Sequence, residues 1–88
     1  MGRFETAACD TAAFGEATTS ADMFFHLGMM YSTGASVAPD YVSAHKWFNL
    51  AALQGNRDAI RLRREIAALM SESEIAAAQR AARDWLGR

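Results

Sequence analysis

One cysteine and one proline stand in 88 residues. With Cys9 alone, no internal disulfide can form, which excludes the cysteine-ladder scaffolds of small secreted proteins and makes a reducing compartment the expectation. The shortage of proline, the many alanines and the near absence of strand-like alternation point to an all-α protein. No charge of one sign dominates: nine basic side chains face ten acidic ones, for a formal net charge of −1. Such a balance gives no overall attraction to nucleic acid or to an anionic membrane. Residues Met1 to Phe14 include Arg3, Glu5 and Asp10 and lack the apolar run of a signal peptide, and no later stretch is long enough to span a bilayer. A cytoplasmic location without membrane contact is therefore expected.

Chemistry-bearing constellations are also missing. No nucleophile with a base and an orienting partner, no phosphate-cradling glycine loop and no metal-ligand cluster is legible. His26 and His45 fall on different helices with no cysteine or carboxylate at ligand-like spacing, and read as surface or half-buried histidines. Cys9 has no base beside it and reads as an ordinary free thiol. The expectation is a protein that is not an enzyme, with no catalytic residue, metal, cofactor or small-molecule substrate.

What the chain does have is a 51% hydrophobic composition, enough for one domain over residues 1–88 with a small core. From Ala21 to Tyr31 the residues Met23, Phe24, Leu27, Met30 and Tyr31 recur at steps of three and four, as the buried face of a helix requires. Gly34 can end that helix in a left-handed C-cap. Pro39 and Asp40 restart the chain, the aspartate as an N-cap. A second helix then turns Tyr41, Ala44, Trp47, Phe48, Ala51 and Ala52 inward and stops at Gly55. Two such helices lie antiparallel.

The residues Ala21, Leu27, Gly28, Tyr31, Gly34, Val37, Asp40, Tyr41, Ala44, Trp47, Phe48, Ala51, Ala52 and Gly55, in that order and spacing, resemble one complete Sel1-like repeat, a relative of the tetratricopeptide repeat. Ser36 departs from the pattern, which has a second glycine there, so the loop geometry is expected to differ locally. The resemblance implies a short α/α solenoid unit, common in bacterial proteins, used as an adaptor for protein–protein interaction. Within it Gly28 and Ala44 would let backbones approach, while Tyr31, Trp47 and Phe48 fill the space between helices.

On either side of residues 21–55 the pattern weakens. Gly2 and Thr6 satisfy the short N-myristoylation pattern, a match that chance produces easily. The residues Phe4, Ala7, Ala8, Thr11 and Ala12 predict a short helix ending near Gly15, and Ala17 to Ser20 read as a linker with Ser20 capping the next helix. Residues 1–20 are thus a cap and linker segment. In residues 56–88, Asn56 can cap a third helix from Arg57 to Met70, whose apolar residues are Ala59, Ile60, Leu62, Ile66, Ala67, Leu69 and Met70. Arg63 and Arg64 stand where a second repeat would have its Leu-Gly pair, so this unit is a degenerate repeat. Ser71 and Glu74 predict a capping box for a fourth helix, Glu72 to Leu86, burying Ile75, Ala78, Ala82, Trp85 and Leu86. A degenerate, charged last unit is how a solenoid closes its end. Arg61 with Glu65, and Arg80 with Asp84, have the i, i+4 spacing of exposed ion pairs.

Two surfaces remain for an unidentified protein partner. Phe24, Met29 and Met30 are surplus apolar residues on the first helix, where related solenoids form a concave groove. Arg57, Arg61 and Arg64 share a face of the third helix, with Arg80 and Arg83 on the fourth. Residues 1–56 carry two basic and five acidic side chains, and residues 57–88 carry seven and five. Such a charge division offers an alternative, polyanion or nucleic-acid binding, although local ion pairing on a solvated cap is the simpler account. A chain with one full repeat also needs cover for its first helix, and an internal cap from residues 4–14 favours a monomer over a homodimer.

Overall fold

The computed structural model describes residues 16–87, which form four helices: α1 Glu16–Thr33, α2 Tyr41–Leu53, α3 Arg57–Ala67 and α4 Glu72–Leu86. Among the described residues there is no strand. The expected N-terminal helix over Phe4 to Phe14, its capping role and Cys9 lie outside them. Residues 17–20 are not a linker: they belong to α1, which starts at Glu16 and needs no cap at Ser20. No glycine or proline interrupts the chain between Glu16 and Leu27. Extending a helix already held by its packing adds one hydrogen bond per residue ordered, so the polar stretch simply continues it.

The remaining boundaries follow from caps. Gly34 has φ +79° and donates its N–H to the Met30 carbonyl at 2.9 Å, ending α1 in the left-handed conformation. The loop returns so that the Asp40 N–H donates to the Tyr31 carbonyl at 2.9 Å. Asp40 caps α2 by accepting from the Ser43 N–H at 3.2 Å and from the Ser43 hydroxyl at 2.9 Å. Asn56 caps α3, accepting from the Ala59 N–H at 2.8 Å. For α4 the capping box is complete: the Glu74 N–H donates to Ser71 Oγ at 3.1 Å and the Ser71 N–H to Glu74 Oε1 at 2.8 Å. Helix α3 stops at Ala67 rather than Met70, because the Leu69 and Met70 N–H groups turn to the Ile66 and Ala67 carbonyls three residues back. Ser36 keeps a left-handed backbone, φ +72°, although it carries a side chain where the resembling pattern has glycine.

Helix α2 is the hub. It packs against α1, α3 and α4, whereas α3 and α4 make little close backbone contact with each other. Its small and large residues alternate as the sequence suggests: Ala44, Phe48 and Ala51 are fully buried and join Ala59 and Ile66 of α3 in one cluster. Phe25, Met29, Tyr31, Leu62 and Met70 are among the residues that pack around it. Burial of Phe48 alone contributes about 2–3 kcal/mol. The face of α1 that meets it is centred on Gly28, where an added Cβ would stand 2.5 Å from Phe48 Cδ1. Apolar periodicity does not register that face, because its central residue has no side chain; Met23, placed inside by periodicity, is 57% exposed.

At 100° per residue, Trp47 and Asn49 project roughly 160° apart round α2. Trp47 meets Trp85 of α4, with centroids 5.0 Å apart, and Asn49 accepts from Arg63 of α3 at 2.6 Å. The two C-terminal helices therefore flank α2 on opposite sides. Occupation of both flanks explains burial off the expected stripe: Leu50 is 1% exposed and His45, expected at the surface or half-buried, is 4% exposed. The reverse also occurs. Tyr41, Leu69 and Leu86, all on the expected apolar faces, are exposed at the ends of the helices they belong to or follow.

Candidate binding surface

The outward face of α1 is the side not claimed by α2. There Asp22, Met23, His26 and Leu27 line an open depression of about 380 Å³. The i, i+4 spacing of Met23 and Leu27 sets two apolar side chains one turn apart, with Asp22 and His26 at the same spacing on the exposed rim. The surface that lines the depression is mainly apolar. Such a surface takes an apolar side chain from an amphipathic segment, with the carboxylate and imidazole available to a polar flank.

The apolar residues singled out in the sequence are mostly engaged elsewhere. Phe24 stacks on Trp47 at 5.7 Å and meets Trp85 edge-on at 6.4 Å. Lys46 covers this group, its Nζ 4.3 Å from the Trp47 ring centroid and 5.2 Å from that of Trp85. Aromatic contacts of this kind add about 0.5–1.5 kcal/mol beyond area burial, and they fasten α4 to the α1–α2 pair. Met29 packs against the core cluster, and Met30 is half-buried. The exposed Met23 and the half-buried Leu27, not Phe24 and Met29, line the outward depression. Met23 and Leu27 were both legible in the sequence as residues of the buried face, Leu27 also as a repeat position.

Arg57, Arg61 and Arg64 are exposed on α3. Arg61 donates to Glu65 at 3.1 Å and approaches Asp58 at 4.0 Å, with both pairs in solvent. Acidic neighbours thus offset the middle of the arginine row. Arg80 and Arg83 are exposed on α4, across α2 from α3, so the two sets do not merge into one stripe around a shared helix pair. Among the described residues Arg80 makes no ion pair with Asp84.

Elsewhere the polar chemistry is sparse. Among the described residues no group of three or more histidine, cysteine, aspartate or glutamate side chains is placed to hold a metal ion, and no helix is long and apolar enough to cross a membrane. His45 is buried with its Nδ1 unpartnered. No known protein family, no curated protein and no solved structure matches this chain.

Proposed function

We propose that this protein is a non-enzymatic interaction module built on one Sel1-like helical repeat, α1 with α2, and that it holds a partner polypeptide through the outward face of α1. The observation that carries this reading is the apolar depression at Met23 and Leu27 on a helix whose other face packs against α2. An exposed apolar side chain beside a half-buried one in an open concavity offers a seat for a partner's amphipathic helix. The repeat reading is supported by the close approach of Gly28 to Phe48 and by the left-handed glycines at Gly34 and Gly55. In it, α4 serves as a closing cap: it returns to the flank of α2 opposite α3 instead of completing a second stacked hairpin.

A photo-crosslinking side chain at position 23, compared with one at the exposed Leu69 in the turn after α3, tests this in lysate of the native cells. Partners captured from position 23 but not from position 69, and lost when Leu27→Asp is added, support the surface. Equal labelling from both positions removes it. The arginine row on α3 is the second surface, and a gel shift at low salt that collapses steeply as salt is raised would move the assignment to a polyanion.

A further inference from the structure

The α2–α3 seam contains a group that neither the repeat pattern nor the proposed partner surface uses. His45 is 4% exposed on α2, and its Nδ1 has no hydrogen-bond partner. One turn further along the same face, Asn49 accepts a 2.6 Å hydrogen bond from the Arg63 guanidinium of α3. Arg63 is the charged group that bears on His45 from α3. On α2 itself, Asn49 is neutral and Lys46 carries its ammonium to the Trp47 and Trp85 rings on the other flank. No charged side chain of α1 or α4 acts on His45 among the described residues.

We propose that the α2–α3 seam is an acid-sensitive latch, in which protonation of His45 beside Arg63 releases α3 from α2 while α4 remains docked. Two features make the response local. A proton on the imidazole would charge a buried side chain on the seam that also holds the half-buried Arg63 guanidinium, and no carboxylate acts on it among the described residues. The other flank of α2 is held independently by the Phe24, Trp47 and Trp85 rings, which carry no titrating group in this range. Release of α3 would uncover the apolar face of Ala44, Phe48 and Ala51 that it helps to cover.

Burial, and secondly the Arg63 charge, hold the His45 pKa below its ordinary 6.5, opposed in smaller measure by the residue's own backbone. A folded-state value below the unfolded one means that the unfolded or opened state binds the extra proton. Stability is therefore fully present above about pH 6.5 and falls as the pH drops through that value toward the lower, folded one. This inference does not depend on the identity of any partner.

Hydrogen exchange on the full chain at pH 7 and pH 5, corrected for the intrinsic pH dependence of exchange, tests it together with urea unfolding across that interval. The latch predicts that amides of α3 lose protection several-fold more than those of α1 and α4 on acidification, and that His45→Leu abolishes the difference. His26→Gln, an exposed control, should retain it. Equal loss in all helices, or an unchanged response in His45→Leu, would overturn the proposal. Because a core variant can fail for other reasons, an NMR titration of the wild-type His45 imidazole gives a second reading: it should titrate below the ordinary 6.5, with the α3 resonances shifting along its curve. An ordinary His45 titration without movement of α3 resonances would refute the latch.

Discussion

Replacing Gly28 with alanine sets two effects of opposite sign against each other. Alanine is favoured over glycine in a helix interior by about 1 kcal/mol, so propensity alone predicts a more stable α1. Against this, the new Cβ would stand 2.5 Å from Phe48 Cδ1, 2.6 Å from Cε1 and 3.0 Å from Cγ. Phe48 has no exposed surface, so its ring cannot swing into solvent, and the helices must separate or the ring must leave its rotamer. Overpacking of this kind costs about 1–3 kcal/mol, and contact with two ring atoms at once points to the upper end. The net loss should be about 2 kcal/mol, which lowers the melting temperature of a domain this size by roughly 8–16 °C. Thermal and urea unfolding followed by circular dichroism would measure it. Phe48→Leu should cost about 1 kcal/mol alone, and the double variant should be less destabilised than the sum by about 2 kcal/mol. The comparison with Gly55 isolates the cause: there φ is +96° and nothing lies within 4 Å of an added Cβ, so Gly55→Ala is penalised through backbone conformation alone. Its cost should add to that of Phe48→Leu within about 0.5 kcal/mol. A Gly28→Ala variant as stable as wild type, or one that Phe48→Leu does not relieve, would refute the proposed contact.

Other substitutions follow from the same geometry. Ser36→Gly should stabilise by up to about 1 kcal/mol, since removing the left-handed penalty at φ +72° outweighs the entropy of a new glycine; a loss on thermal unfolding would contradict this. Ser71→Ala breaks the capping box and should cost about 1 kcal/mol, with amide exchange rising first at the start of α4. Trp85→Ala removes ring contacts to both Trp47 and Phe24 and should cost about 2–3 kcal/mol, less than a fully buried tryptophan because the ring is half-buried. Arg61→Ala should change stability by less than about 0.5 kcal/mol at any salt concentration, as its two ion pairs lie in solvent.

Local signals determined where α2, α3 and α4 begin and where α1 and α2 end. Asp40, Asn56 and the Ser71–Glu74 box act through atoms within three residues, so their roles are legible from spacing alone. Gly34 and Gly55 are legible for the same reason, since each takes the positive φ that a turn at that point demands. The lone polar stretch before Ala21 misleads because a helix held by tertiary packing continues through residues that would not start one. Burial was decided at longer range. Spacing along α2 identified Ala44, Phe48 and Ala51, but it could not reveal that α3 and α4 would take opposite flanks and so enclose His45 and Leu50 as well. The outward apolar pair at Met23 and Leu27 was hidden for a related reason: the rotation of α1 is set by Gly28 against Phe48, a contact made by the absence of a side chain. Capping is a matter of chemistry within one turn, whereas the sides of a helix that face water depend on every other helix that finds room beside it.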